Sequence, residues 1–443
     1  MAKIFDFGAY RDILRVRAAY AFDIGCFLMR FLPYMANIGV VSMLTLAGHS
    51  FLTAGIVSSV IALASFLISP WVSRLIDERG QSRIIPGATL VAMVGLAILL
   101  LSVALEWPFW LMCAGAVLLG FMPSSMALCR TRWTYLIRTG KLEGKAPSLK
   151  TMFSYEGVLD DVGFMFAPPL SIMLSASITP IAGLLVGGIA FVVGAVITCL
   201  SKSTEPEPGW EAEDSASEVD VSPELEGEGH SASAKTDVSH GSEESRLVND
   251  GLLFRKYPVI IVMFVQMLFL GAFFGVFDTT TVALAEEVGS PDFASLVLMV
   301  AGFISMVAGF VFGMVRLRMP QYLQLVWAAI LIGVSYGAMV FIDSPLSLFI
   351  VSTIAAPFYA PFVIICNASC EQAVPGRRLT EAITWINAGV RGGMAAGPSI
   401  GGIVIDSLGT MIAFDIGAVL AIAIPIVTLC CVRLLKREVS SSD

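Results

Sequence analysis

The sequence predicts an all-α membrane protein with twelve transmembrane helices in two pseudo-symmetric halves of six helices each. Its 443 residues are 56% hydrophobic and 14% charged, and the mean hydropathy of +0.83 is too high for a soluble core covered by polar surface. Apolar segments of about 20 residues are long enough to cross a hydrocarbon layer about 30 Å thick as helices. The placement of basic residues then shows which helix ends share a side of the membrane.

Basic residues occur in every second gap between the apolar segments and at the two ends of the chain. Of the 27 Lys and Arg residues, only Arg30 and Arg391 break this rule, because they lie within apolar segments. Cytoplasmic loops carry the excess of Lys and Arg in membrane proteins, so the pattern predicts twelve crossings with both termini in the cytoplasm. The gaps without basic residues lie near His49, Glu106, Ser177, Glu286, Asp343 and Asp406.

Each predicted span is an apolar run between a basic zone and a gap without basic residues. The first six cover about 21–45, 54–75, 84–105, 108–128, 154–174 and 180–200. The second six cover about 258–283, 293–314, 323–341, 346–368, 382–405 and 411–434. The first is too long for the apolar core of a signal peptide and has no cleavage site of small residues. We therefore expect a multi-pass protein of a bacterial-type plasma membrane.

A long acidic stretch, residues 201–255, separates the sixth span from the seventh, and we interpret it as a disordered cytoplasmic linker. Between Ser203 and Asp250 it holds 14 acidic residues against two basic ones and is rich in Ser, Glu, Gly and Pro. Such a composition does not bury enough apolar surface to fold. The stretch divides the chain into an N-terminal half, residues 1–200, and a C-terminal half, residues 256–443. A docking site for a partner is the alternative to a solvated spacer.

Short motifs recur between the two halves at nearly constant offsets. Gly48 and Gly289, each at the end of the first span of its half, are 241 positions apart. Gly-x-x-x-Ala-Pro at 163–168 matches Gly-x-x-x-Gly-Pro at 393–398, at an offset of 230. A constant offset indicates an internal repeat. Duplicated halves that rock about a site at the membrane midplane are how secondary transporters alternate access.

The loop between the second and third spans, residues 73–83, reads SRLIDERGQSR and resembles the GxLaDrxGrk loop of the major facilitator superfamily. The resemblance covers essentially the whole chain, and Leu75, Asp77, Gly80 and Arg83 fit the pattern. It implies a gating loop that latches the halves on the cytoplasmic side, with Asp77 facing the start of the eleventh helix. A carboxylate is favoured there by the exposed N–H groups of the helix N-terminus. A charged turn that only sets topology is the alternative.

The eleventh span contains a second motif, formed by Gly393, Gly397, Pro398, Gly401 and Gly402. It is similar to the GxxxGPxxGG motif of proton-linked drug exporters, in which it occupies the fifth span. Small residues let membrane helices approach closely, and Pro leaves a backbone carbonyl without its helical partner. The motif predicts close helix packing, and the resemblance implies export in exchange for protons.

Four charged residues within the spans are candidates for proton coupling: Arg30, Glu156, Asp160 and Asp161. Glu156 and Asp160 are four residues apart and share a helix face, so two ionised carboxylates there would repel each other. We expect that one of them is protonated or that a cation neutralises them, and Arg30 is the basic residue within the spans of the first half. A carboxylate that exchanges a proton as Arg30 approaches would be a proton carrier. A permanent ion pair that braces the first and fifth helices is the alternative.

Three further residues are candidates for a substrate cavity. Asp278 in the seventh span matches Asn37 in the first at the 241 offset, and the resemblance implies that these two helices line a central cavity. An acid and an amide there would bind a cationic or hydroxylated solute. Arg391 matches Asp161 at the 230 offset with opposite charge. Asp23, near the start of its span, is expected to be solvated or to cap a helix.

Several function classes lack their signatures. No GxxxxGK[ST] loop is present, which argues against an ATP-driven pump, and the spans hold no His-rich or Ser/Lys constellation for an enzyme. The eight Cys show no disulfide or metal spacing, so we expect no metal and no cofactor.

The sequence therefore predicts a monomeric secondary transporter that exports a small organic solute by proton antiport, with the lipid bilayer and no nucleic acid as partner. Proton-coupled uptake of a metabolite is the main alternative. A receptor or scaffold whose acidic linker is the working part is a further one.

Overall fold

The protein is a bundle of helices in a computed structural model that describes residues 17–140, 149–208, 210, 257–314, 319–374 and 376–439. Within these ranges the regular elements are α-helices and short 3-10 turns, and no strand occurs. The N-terminal half comprises α1 Arg17–Leu46, α2 Phe51–Arg79, α3 Gln81–Ala104, α4 Phe109–Leu119, α5 Ser125–Arg138, α6 Leu149–Ser177 and α7 Ala182–Leu200. The C-terminal half comprises α8 Val259–Glu287, α9 Asp292–Met314, α10 Gln321–Gly337, α11 Pro345–Ala355, α12 Tyr359–Ala373, α13 Gly376–Leu408, α14 Thr410–Cys430 and α15 Val432–Val439.

The helices of the two halves correspond in order, α1 to α7 with α8 to α14. In the described part of the chain, 10 helical segments are long and apolar enough to cross a membrane, and they account for all the predicted spans except the fourth and the eleventh. The eleventh is the continuous helix α13, which contains Arg391. This architecture is consistent with twelve crossings.

The fourth and tenth spans are both broken near their middle. In the fourth, α4 ends at Leu119 and α5 begins at Ser125, with Pro123 between them. In the tenth, a 3-10 turn at Ala356–Phe358 separates α11 from α12 and contains Pro357. Proline has no backbone N–H and clashes with the preceding turn, so a regular helix does not pass through it easily. The break explains why the predicted fourth span is two shorter helices.

Glycine lets α13 approach two other helices closely. A methyl group on Gly397 would lie 2.6 Å from the Cα atom of Gly275 in α8, and one on Gly393 would overlap the backbone of the same helix. On another face of α13, a methyl group on Gly402 would overlap the carbonyl oxygen of Phe51 in α2. Because α2 and α13 belong to different halves, the motif predicted to pack helices forms the joint between them.

Hydrogen bonds join the halves at the end of the bundle that lacks basic residues, which we call the non-basic end. Asp406, near the end of α13, accepts hydrogen bonds from the backbone N–H groups of Phe51 (3.1 Å) and Leu52 (2.7 Å). These are free N–H groups of the first turn of α2, which a carboxylate satisfies well. Thr45 of α1 also donates to the Glu286 carboxylate of α8. These contacts close the non-basic end in this structure.

The first residues of the predicted linker pack on the N-terminal half at the opposite, basic end. Glu205 accepts a hydrogen bond of 2.6 Å from the backbone N–H of Ser82, in the first turn of α3. The Trp210 ring meets the Tyr135 ring edge-on, with centroids 5.2 Å apart. The linker boundary predicted at residue 201 is thus too early, because residues 201–208 and 210 contact the half that precedes them. The rest of the predicted linker, from 211 onward, lies outside the described residues.

We expect Gly402→Ala to destabilise the joint between the halves, whereas Gly401→Ala is tolerated. A methyl group on Gly402 overlaps backbone, but one on Gly401 would sit 3.4 Å from the Cα atom of Val276, an ordinary contact. Overpacking against atoms that cannot move costs about 1–3 kcal/mol. Thermal melting of each purified variant, followed by size-exclusion fluorescence, measures the difference. Equal melting temperatures for the two variants would contradict the close approach.

Candidate functional site: a buried charge cluster and a cleft between the halves

A buried ion pair lies at the centre of the N-terminal half. The Arg30 side chain of α1 is 2% exposed, and its guanidinium donates to the carboxylate of Glu156 on α6, which is 0% exposed. The Nε atom of Arg30 also lies 3.8 Å from Oδ1 of Asp160, one helical turn further along α6. The structure thus brings together three of the four residues predicted for proton coupling. The Asp161 side chain lies outside the described ones.

Asp160 connects this cluster to more open space. Its side chain is 27% exposed and accepts a hydrogen bond from the Tyr34 hydroxyl of α1. The Tyr34 ring packs edge-on against Phe164, with centroids 5.6 Å apart. Asp160 is therefore the carboxylate of the ion-pair network that solvent and solutes can reach.

Asp23 extends the cluster in the other direction and corrects an expectation drawn from the sequence. It is 8% exposed rather than solvated, and it accepts a hydrogen bond of 2.7 Å from Nε1 of Trp133. The Cys129 thiol lies between the two acids, 3.2 Å from Asp23 Oδ1 and 3.1 Å from Glu156 Oε1. A sequence signal existed, since Asp23 precedes Arg30 by two helical turns and therefore shares its face of α1.

If every acid of this cluster were ionised, it would carry more negative charges than Arg30 neutralises and more hydrogen-bond acceptors than Cys129 can serve. A thiol has one hydrogen, so Cys129 donates to only one of the two carboxylates that it contacts. Three carboxylates (Asp23, Glu156 and Asp160) would also face the one cation, Arg30, that pairs with them in the described structure. Buried, uncompensated charge is very costly. The arrangement therefore favours a proton on at least one carboxylate of the cluster.

Three members of the cluster, Asp23, Cys129 and Glu156, are also residue types that can ligate a metal ion. Ligand atoms of Asp23, Cys129 and Glu156 all lie within 4.8 Å of one another. However, the Trp133 N–H already occupies Asp23, and the Arg30 guanidinium occupies Glu156. A metal ion would have to displace a cation that is already paired, so the arrangement fits a proton better than a metal.

A second buried arginine, Arg132 of α5, has neutral hydrogen-bond partners and is a structural residue. Its Nε atom donates to Gln81 Oε1 at 2.6 Å, and its terminal nitrogens donate to the carbonyl oxygens of Thr198 (2.9 Å) and Ser201 (2.8 Å). The side chain is fully buried. The structure shows that it fastens α5 to α3 and to the end of α7.

A cleft between the halves lies beyond this cluster. It is narrow and places Asn37 and Asp278 on walls contributed by different halves. In the described part of the chain the Asp278 carboxylate has neither a hydrogen bond nor an ion pair. Arg391, the third residue predicted for the cavity, is exposed and lies outside this cleft. The lining residues are Asn37, Ile38, Val41, Gly275, Asp278, Thr279, Met394 and Pro398.

The predicted gating loop forms a tight turn between α2 and α3. Gly80 has a φ angle of 93°, which favours glycine because side chains with a Cβ atom are strained there. Leu75 is half-buried, whereas Asp77 and Arg83 are exposed. Asp77 borders a small pocket shared with Pro206, Glu207 and Trp210. The side chains at the start of α13, residues 376–381, lie outside the described ones, so the latch remains a prediction.

Comparison with known proteins identifies the family. A sequence profile of the Major Facilitator Superfamily matches residues 20–355 and 263–442. The chain belongs to the Major Facilitator Superfamily. It is therefore a multi-pass membrane transporter and not an enzyme, which confirms the family and class predicted from the gating loop and the helix-packing motif.

Solved structures of other transporters share the fold of this superfamily member at low sequence identity. The nucleoside transporter NupG superposes with a TM-score of 0.66 at 13% identity, over 94% of this chain and 98% of that one. The POT family transporter PepTSo also gives 0.66, at 13% identity, over 97% and 99% of the two chains. A POT family transporter in complex with 5-aminolevulinic acid gives 0.57, at 14% identity, over 95% and 96%. No curated protein matches the sequence.

Removing one partner of the Arg30–Glu156 pair should destabilise this transporter strongly. We expect Glu156→Gln to cost up to about 3–5 kcal/mol, because Arg30 loses its fully buried carboxylate and keeps only the partly exposed Asp160, 3.8 Å from its Nε atom. The double variant Arg30→Met, Glu156→Met should recover most of the stability, since it removes both fully buried charges and leaves the partly exposed Asp160. Thermal melting in detergent measures both effects.

The exposed pair of Arg74 and Glu78, 2.8 Å apart, supplies the control for that experiment. Glu78→Gln removes the same charge from an exposed pair, and surface pairs contribute about 0–1 kcal/mol. A Glu156→Gln variant that melts like Glu78→Gln would show that the buried pair is not required for the fold.

Proposed function

We propose that this protein exports a small organic solute in exchange for protons, as a monomer in the plasma membrane with both termini in the cytoplasm. The observation that carries the proposal is the surplus of carboxylates over cations in the cluster formed by Asp23, Arg30, Cys129, Glu156 and Asp160. A buried cluster that favours a proton, and whose outermost acid is accessible, has what a proton carrier requires.

Coupling follows from the way α1 connects the cluster to the cleft. Arg30, Tyr34 and Asn37 are spaced by four and three residues, so they share one face of the helix. At 1.5 Å per residue, Arg30 and Asn37 are separated by roughly 10 Å along the axis. A proton arriving at Asp160 weakens its attraction for Arg30 and its hydrogen bond from Tyr34. Movement of these side chains reaches Asn37 through the same helix.

The direction of transport is proposed on two grounds. The non-basic end, which the basic-residue pattern assigns to the outside, is closed by Asp406 and Glu286. A transporter closed on the outside takes up its solute from the cytoplasm. The motif in α13 is similar to that of proton-linked exporters. Proton-coupled uptake of a metabolite is the alternative and uses the same cluster. Efflux and uptake assays with cationic dyes, sugars and amino acids, in cells with and without the protein, distinguish the two directions.

The C-terminal end of α13 and the C-terminal end of α2 form a reciprocal arrangement. At the non-basic end, Asp406 of α13 accepts hydrogen bonds from backbone N–H groups in the first turn of α2. At the basic end, the resemblance implies that Asp77 of α2 faces the first turn of α13. We propose that each carboxylate closes one side of the cavity and that the two contacts alternate during the transport cycle.

Replacing the accessible acid should abolish coupling. We expect Asp160→Asn to reduce proton movement at least tenfold in proteoliposomes that contain a pH-sensitive dye, measured with the solute identified by the cellular screen. The physical reason is that Asn keeps the shape of the side chain but binds no exchangeable proton. Asp161→Asn is the comparison at the neighbouring position. Normal solute-dependent proton movement in both variants would place the coupling site elsewhere.

Neutralising the two proposed latches should have opposite effects. Asp406→Asn weakens the contact with the α2 N-terminus and should expose the outer side of the cavity, whereas Asp77→Asn should expose the inner side. Each lost interaction at a helix N-terminus is worth roughly 0.3–1 kcal/mol, enough to shift a balanced equilibrium about two- to fivefold. Labelling rates of single cysteines placed on each side of the cavity report the shift. A change in the same direction for both variants would refute the reciprocal arrangement.

A further inference from the structure

We propose that the segment after α7, residues 202–208 and 210, is a strap that positions the gating loop, and that Glu205 and Trp210 are its positioning residues. This inference rests on the proposed function, because the strap acts through the latch formed by Asp77. It follows from three observations: a helix start whose cap is supplied by Glu205, a buried arginine that anchors the strap, and the exposure that is left to Asp77.

The start of α3 has no cap from its own sequence. The gating loop turns at Gly80, whose φ angle of 93° favours glycine, and Gly80 supplies no side-chain hydrogen bond to the helix that follows. The first N–H groups of a helix have no partner within the helix. Glu205 serves one of them, because its carboxylate accepts a hydrogen bond of 2.6 Å from the backbone N–H of Ser82. The helix dipole also favours a carboxylate at this position.

Arg132 of α5 anchors the beginning of the strap. Its guanidinium donates to the Thr204 hydroxyl at 3.0 Å and to the Ser201 carbonyl oxygen at 2.8 Å. The same side chain donates to Gln81, the first residue of α3, at 2.6 Å. Because Arg132 is fully buried, one closely packed side chain fixes the start of the strap relative to the start of α3.

Two further contacts hold the end of the strap. The Trp210 ring packs edge-on against Tyr135 of α5, with centroids 5.2 Å apart, an arrangement that aromatic pairs prefer. At the turn itself, a methyl group on Gly80 would lie 3.4 Å from the Cγ atom of Pro208. The strap therefore lies against the turn and limits the positions that the gating loop can take.

The strap leaves the latch residue uncovered. Asp77 borders one small pocket together with the strap, yet its side chain is exposed, whereas Ile76 and Gly80 on either side of the turn are buried. The strap thus supports the turn and keeps the Asp77 carboxylate accessible for the proposed contact with α13. Ordering a free loop each time the latch closes would cost conformational entropy, and a loop that is already held avoids that cost.

Hydrogen–deuterium exchange of the purified full-length protein tests whether the strap holds the loop. We expect Glu205→Ala to speed exchange in peptides that contain Ser82 at least about fivefold, because the Ser82 N–H loses its acceptor. Glu205→Gln keeps an oxygen that accepts the same hydrogen bond and should restore most of the protection. Glu207→Ala is the matched control, because it removes an exposed acid from the same strap, and it should change nothing.

Labelling of single cysteines on each side of the cavity tests whether the strap acts on the transport cycle. Glu205→Ala and Trp210→Leu should each speed labelling on the inner side and slow it on the outer side by about two- to fivefold, the range of the latch contact itself. Glu205→Gln should restore the ratio of the two rates. A segment that only stabilised the fold would lower the melting temperature without changing that ratio.

A double-mutant cycle shows whether the effect passes through Asp77. Substitutions that remove the same contact are not additive, so Asp77→Asn combined with Glu205→Ala should label no faster on the inner side than Asp77→Asn alone. Additive effects, unchanged exchange in Glu205→Ala, or an unchanged labelling ratio in Glu205→Ala would each overturn the inference.

The result is separable from that of the proposed export, because exchange and labelling require neither a solute nor a proton gradient. A shifted labelling ratio in Glu205→Ala without proton movement in proteoliposomes would leave the strap standing and remove the proton coupling. Proton-coupled export with a normal ratio in Glu205→Ala would do the reverse. An unchanged ratio in Asp77→Asn alone would refute the latch, and with it the route by which the strap acts.

Discussion

The burial of the Arg30 guanidinium among apolar helices is the constraint on which the rest of the N-terminal half depends. A charge in that position is stable only if other groups pair with it or accept hydrogen bonds from it. Glu156 does so, which ties α1 to α6 and leaves Asp160 one turn away at 3.8 Å. Cys129 and Asp23 then join α5 to the same cluster. The surplus of carboxylates over cations favours a proton in the cluster, so the packing requirement and the proposed coupling chemistry have the same origin.

A second constraint is the set of glycines on the faces of α13 that meet other helices. Gly393 and Gly397 bring it against α8 of its own half, and Gly402 brings it against α2 of the other half. A helix that lies so close to both partners transmits motion of one half directly to the other. The ends of the α2–α13 pair are also where acids meet helix N-termini, at Asp406 in this structure. In the proposed cycle, rocking about this joint breaks one end contact as it forms the other, so a small change in either contact would shift the equilibrium.

The sequence was sufficient for features that follow from local rules. The spacing of basic residues predicted the crossings, and the four-residue spacing of Glu156 and Asp160 predicted that the two acids share a helix face, which the structure places against Arg30. The spacing of Asp23 from Arg30 indicated a shared helix face, but the partners of Asp23 and Arg132 were not predictable, because Trp133 and Gln81 lie on distant helices. The docked start of the linker was missed for a different reason. Averaged over 203–250 the composition is that of a disordered chain, and the average conceals Pro206 and Trp210, which pack on the gating loop.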